Sequence, residues 1–261
     1  MRRYNLIQSI IFILVVISVQ ACGFAQQATQ EASTPTATGT LTSTVTPSPT
    51  MTPTNTPRPS KTPNATQTQN YDDIFSQVQR FADDGLIPNT YGKYRVMDDF
   101  NNSVAQTGLL QYWYFYDKVE YFVIKAHVEW GSAIDTLDTS GCGIVFALQE
   151  KKDQSNDYYG VIIDKSRIYF TTIESGYYYN VGKTRGTGVL NFGNPASADL
   201  TLLVYDYKAY VYVDDEFIGE YTLAKSKDLR GYFGYGIISG TNRDYGTRCE
   251  ISNARMWEIT K

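Results

Sequence analysis

Acyl-transfer and hydrolytic centres most often place a histidine beside a nucleophile, and this chain of 261 residues has one histidine, His127. It stands between Ala126 and Val128 in an alternating apolar run, and no Gly-x-Ser-x-Gly elbow occurs anywhere. His127 therefore reads as a residue on a sheet surface. Grouped carboxylates are the next source of acid–base chemistry. Among them are Asp83-Asp84, Asp98-Asp99 and Asp214-Asp215-Glu216. Neighbours along a strand point to opposite faces, and these groups fall at a helix end, a strand start and a hairpin turn. Their pattern predicts turn chemistry, not catalysis. The loop residues Asp135, Asp138 and Asp244 would suit a calcium ion, and they are also ordinary turn formers. Two cysteines and a histidine in the body of the chain make no zinc spacing. No cofactor is expected.

The remaining lead is aromatic. All 22 tyrosines but Tyr4, and all three tryptophans, lie from Tyr71 onward. Tyr210 and Tyr212 share one strand face opposite Val211 and Val213. With Tyr159 and Tyr169 on the same concave sheet they would form a ligand-binding set, their rings stacking on sugar faces and their hydroxyls meeting sugar oxygens. Tyrosine also favours half-buried strands without any ligand, which is the competing structural explanation. Tyr112 to Tyr116 and Tyr177-Tyr178-Tyr179 read as loop or edge aromatics suited to protein or glycan contact.

These residues must be carried to their place of action, and the N-terminus addresses that. Arg2 and Arg3 precede the apolar run Leu6–Val19, which is shorter than the roughly 20 residues a membrane-spanning helix needs. It reads as a signal peptide over residues 1–21. Val19-Gln20-Ala21-Cys22 resembles the lipobox of bacterial lipoproteins. That resemblance implies a lipid on Cys22 and a protein anchored to the membrane at the extracytoplasmic cell surface. A plain secretory signal or an uncleaved anchor is the alternative, and each exports the domain. With Cys22 lipidated, Cys142 and Cys249 remain. A pair in an exported domain favours a disulfide, with free buried thiols as the alternative.

Residues 22–70 form a second region. Seven of the nine prolines fall there among many threonines, and the segment from Gln26 has no aromatic residue before Tyr71. Such a segment cannot bury enough apolar surface to offset its conformational entropy. Extended polyproline conformation, at about 3.1 Å per residue, would make it a stalk. From Tyr71 on, the composition is that of one domain. Four of the 23 Lys/Arg and one of the 27 Asp/Glu lie before it, leaving a net charge of −7. This argues against nucleic acid and anionic membrane surfaces as partners of the domain.

Ile74, Val78 and Phe81 recur at helical spacing, and Gly85 and Pro88 end the run, so residues 71–94 hold a short helix and a connector. The period then changes to two. Phe122, Ile124, Ala126, Val128 and Trp130 share one face, and further short strand-like runs follow to Ile259. This predicts an all-β sandwich over residues 95–261. Asp98-Asp99-Phe100, Gly141-Cys142-Gly143-Ile144-Val145-Phe146 followed by Asp157-Tyr158-Tyr159-Gly160-Val161, Tyr210 to Phe217, and Ser252 to Trp257 occur in an order that resembles the concanavalin A-like lectin/glucanase jelly roll, shared by laminin G-like modules. The resemblance implies a two-sheet antiparallel jelly roll that acts on or binds sugars. Hydrolases of that fold carry an E-x-D-x-E-like strand, which is absent here, so a non-enzyme is expected. The expectation is a carbohydrate-binding surface module. The alternatives are a structural or protein-interaction head on a stalk, with a glycan or surface protein as partner, and a glycan hydrolase with an unconventional site.

Overall fold

The computed structural model describes residues 65–260 apart from 109, 136–139, 151–156, 165–166, 176, 186–189 and 191–192. The signal peptide, Cys22, the Thr/Pro segment to residue 64 and Asp138 lie outside the described residues.

Alternation of apolar side chains builds two antiparallel sheets. The first runs β1 (Gly92–Val96), β13 (Thr247–Ile259), β4 (Phe122–Ser132), β9 (Ala196–Tyr205), β10 (Lys208–Val213) and β11 (Glu216–Thr222), with β2 (Phe100–Val104) also paired to β13. The second runs β3 (Leu110–Val119), β12 (Gly231–Ile238), β5 (Gly141–Gln149), β6 (Asp157–Ile163), β7 (Arg167–Glu174) and β8 (Tyr177–Arg185). Together they form an all-β jelly-roll sandwich. Phe122, Ile124, Ala126, Val128 and Trp130 of β4 point inward, as their spacing predicts, and meet Phe146, Phe170 and Phe233 from the second sheet. Cys142 of β5 and Cys249 of β13 form a disulfide that joins the sheets through the core, with their Cα atoms 5.9 Å apart.

The acidic groups act as turns and clamps. Asp214 and Asp215 take φ of 50° and 64° between β10 and β11, the left-handed pair that a tight hairpin requires. Asp214 accepts a hydrogen bond from the Asp199 amide, and Asp99 accepts one from the Asn253 amide.

Helix α1 (Ala65–Asp83) begins upstream of the expected Tyr71 and lies on the outer face of the first sheet, over β13 and β4. Its apolar stripe, Ile74, Val78 and Phe81, is fully buried. Phe81 packs 5.3 Å from Tyr212 and Phe75 5.3 Å from Trp257. Asp73 pairs with Arg255 at 2.8 Å and with Lys125 at 3.5 Å, and the Gln77 amide donates to Asp215. Gly85, at φ 72°, lets the Leu86 amide return to the Phe81 carbonyl and closes the helix end.

Candidate functional site

Strands β5 and β6 are apolar in both phases. Cys142, Ile144 and Phe146 of β5 and Tyr159, Val161 and Ile163 of β6 enter the core, while Val145, Leu148, Tyr158 and Ile162 occupy the outer face. Strands that are apolar on both sides are the mark of a sheet covered on both sides. Helix α1 covers the other sheet, and among the described residues no helix or strand is layered over this one.

That outer face carries its own apolar cluster of Leu110, Val145, Leu148, Tyr158, Ile162, Tyr169 and Ile173, on which Tyr112, Tyr114, Tyr232 and Ile238 pack. Glycines make room for it. A Cβ on Gly236 would stand 3.2 Å from Leu110 Cδ1, and one on Gly160 would stand 3.5 Å from Leu110 Cδ2. Leu110 of β3 can therefore lie down across β12 toward β6. Tyrosine rings finish the surface as a connected row. Tyr158 and Tyr112 have ring centres 4.7 Å apart, Tyr112 and Tyr114 6.4 Å, and Tyr114 and Tyr232 5.2 Å. The Tyr114 hydroxyl donates to Glu150 at 2.5 Å, and the Lys118 ammonium lies 4.7 Å from the centre of the Tyr232 ring. A row of rings, buried at Tyr158 and partly exposed at Tyr112, Tyr114 and Tyr232, is thus flanked by one acid and one base. Such a surface can stack flat apolar faces and hydrogen-bond the polar groups at their rims.

The four tyrosines proposed from sequence do not share this surface. Tyr159 lies in the core between Phe146 and Phe170, where burial raises the pKa of its hydroxyl, which accepts the Ala224 amide hydrogen bond. Tyr210 and Tyr212 are on the outer face of the first sheet, and Tyr212 is covered by Phe81 and by the Arg80 guanidinium 5.3 Å from its ring centre. Tyr169 alone belongs to the cluster on the second sheet, with Arg167 5.4 Å from its ring centre. Strand phase correctly separates Tyr210 from Val211. It carries no information on which sheet a strand joins or on where the helix docks. Tyr112 and Tyr114 lie on the edge strand β3, in the stretch the sequence marks as edge aromatics suited to protein or glycan contact. Their neighbours Tyr158, Tyr232 and Glu150 were not foreseen; the signal that could have found them is the double-phase apolar character of β5 and β6.

Among the described residues, the carboxylate that meets the ring row is Glu150, which the Tyr114 hydroxyl contacts. Elsewhere, His127 lies partly exposed on the outer face of the first sheet. Its Nδ1 is 2.7 Å from Asp199 and its Nε2 3.3 Å from Glu129. The hydrogen bond to Asp199 raises its pKa, burial opposes the rise, and Glu129 adds to it. Asp135 is hydrogen-bonded by the Asn194 amide, and Asp244 sits in a turn at φ 48°. Among the described residues, no group of three His, Cys, Asp or Glu side chains is arranged to hold a metal ion.

No protein-family model matches the chain, and no curated protein is similar to it in sequence. Solved structures with similar architecture include a carbohydrate-binding module, CBM66, from Bacillus subtilis, at 10% identity and a TM-score of 0.45, covering 62% of this chain and 94% of that one. Sheep galectin-11 matches at 10% identity and a TM-score of 0.38, covering 58% and 98%. A fructosyltransferase from A. japonicus matches at 14% identity and a TM-score of 0.43; the match spans 70% of this chain and only 28% of that enzyme. All of these likenesses are too distant to transfer what those proteins bind or cleave.

Proposed function

We propose that this domain is a non-catalytic carbohydrate-binding module, held at the cell surface by a lipid on Cys22 and lifted from it by the Thr/Pro segment. The observation that carries the reading is the row Tyr158–Tyr112–Tyr114–Tyr232 on an otherwise apolar outer sheet face, flanked by Glu150 and Lys118. Pyranose and furanose rings offer a flat C–H face to the partly exposed rings of Tyr112, Tyr114 and Tyr232, which Tyr158 backs from below the surface, and hydroxyls to the flanking carboxylate and ammonium. Tyrosine supplies this contact area at low entropic cost, because its side chain has few torsions to fix. The test is glycan binding by wild-type chain and by Tyr114→Ala and Tyr232→Ala. Loss of about 1.4–2 kcal/mol, or roughly ten- to thirtyfold in affinity, is expected for each ring.

The second reading is a protein-interaction head using the same face. What favours it is the aliphatic bed of Leu110, Val145, Leu148, Ile162 and Ile173 beneath the rings, more apolar than a sugar requires. The same variants distinguish the two readings. A folded protein that binds no glycan, and whose ring variants weaken self-association or capture of a surface protein, supports the second.

A further inference from the structure

The part of the first sheet that helix α1 leaves uncovered is polar. On its outer face, Asp199, His127 and Glu129 run across β9 and β4, and Glu129 stands opposite Glu250 of β13 in register. Asn101 of β2 continues the row, its amide donating to Glu250 at 3.1 Å. One row along, Gly131 faces Arg248. A Cβ on Gly131 would stand 3.3 Å from Asn194 Oδ1 and 3.4 Å from Pro195 Cβ, so the glycine admits that loop close to the sheet. The result is a cleft of about 390 Å3 walled by Asn194, Pro195 and Tyr245 and floored by Glu129, Arg248 and Glu250.

We infer that this cleft is a second ligand site, for a neutral polyhydroxylated ring the size of one sugar residue. Its volume falls within the range of small-molecule sites, about 300–1,000 Å3. Its lining supplies the three functions that such a ligand needs. The carboxylates of Glu129 and Glu250 are acceptors, and among the described residues neither has a lysine or arginine in ion-pair range. Arg248 is a donor; no carboxylate pairs with it among the described residues, and its guanidinium lies 4.5 Å from the centre of the Tyr245 ring. Tyr245 is the platform, 38% exposed.

Like charges placed directly opposite across a strand pair are unfavourable. Glu129 and Glu250 are so placed, and sugar hydroxyls donating to both would relieve the strain between them. The mixture of acceptors, donor and aromatic ring favours a neutral polyol over a simple cation. The inference does not rest on the tyrosine row, which lies on the opposite sheet. If both sites are filled, one domain can bridge two glycan chains.

The test uses the full-length chain and saturation-transfer NMR with glucose, galactose, mannose, fructose, glucosamine and glucuronic acid. The cleft is read in the Tyr114→Ala background, where the tyrosine row is weakened. At least one neutral hexose is expected to receive saturation from Tyr114→Ala protein, and its apparent affinity should fall tenfold or more when Arg248→Ala or Glu250→Gln is added. Four results overturn the inference: no transfer to any neutral sugar, transfer to wild type that is abolished by Tyr114→Ala alone, cleft variants indistinguishable from their Tyr114→Ala parent, or transfer to glucosamine alone, which would make the cleft a cation site. The Tyr114→Ala arm separates failure here from failure of the tyrosine surface.

Discussion

Replacing Cys142 and Cys249 together by alanine tests how the two sheets are held. Both residues have no exposed surface, and the bridge closes a sequence separation of 107. In the chain-entropy model a loop of that length restricts the unfolded chain by about 16 cal/mol/K, or about 4.8 kcal/mol at 25 °C. Residual compactness of the unfolded state lowers that figure, whereas loss of sulfur packing in the core raises it. For a domain of this size each kcal/mol moves Tm by about 2–4 °C, so a fall of about 10–20 °C is expected. The assay is thermal unfolding followed by near-ultraviolet circular dichroism. The double variant is compared with wild type, with and without a reductant, at one pH. Wild type under full reduction should approach the variant. A fall of less than about 3 °C in the double variant would refute the claim that this bridge constrains the unfolded chain to a significant degree.

Other consequences follow from particular contacts. Phe81→Ala removes a fully buried ring from the helix–sheet interface and should cost about 3–5 kcal/mol by chemical denaturation. An unchanged midpoint would show that α1 does not dock there. His127, as the only histidine, can be titrated alone by NMR. Its pKa should lie above 6.5 and fall toward that value in Asp199→Asn. Because the folded pKa is raised, the stabilisation from this contact is complete below the ordinary histidine pKa and disappears as pH rises through the raised one. A value at or below 6.5 in wild type would contradict the hydrogen bond to Asp199. Tyr212→Phe should leave glycan binding unchanged, because Phe81 and Arg80 cover that ring; a tenfold loss would place the ligand on the helix side.

The fold was legible in the sequence because its signals are local. The period-two run of β4, the Asp214-Asp215 turn and the helix stripe Ile74, Val78, Phe81 each state their own structure. The disulfide was legible from the count of cysteines left in the body of an exported domain. The candidate surface was not, because it is assembled from β3, β6 and β12, whose adjacency through β5 comes from sheet order. Tyr210 and Tyr212 had the right alternation for a sheet surface. The docking of α1, a long-range event set by Phe81, Phe75 and the Asp73 ion pairs, took that surface away. Tyr177 and Tyr179 proved to be exposed residues on the edge strand β8, in agreement with an edge assignment.

The central claim is that the tyrosine row binds a glycan, and its most direct test is a glycan-array screen of wild type, Tyr114→Ala and the exposed-site control Tyr91→Ala. The account predicts a specific glycan bound by wild type and by Tyr91→Ala and weakened about tenfold or more in Tyr114→Ala. A blank array from folded wild-type protein, or equal binding by all three, would contradict it.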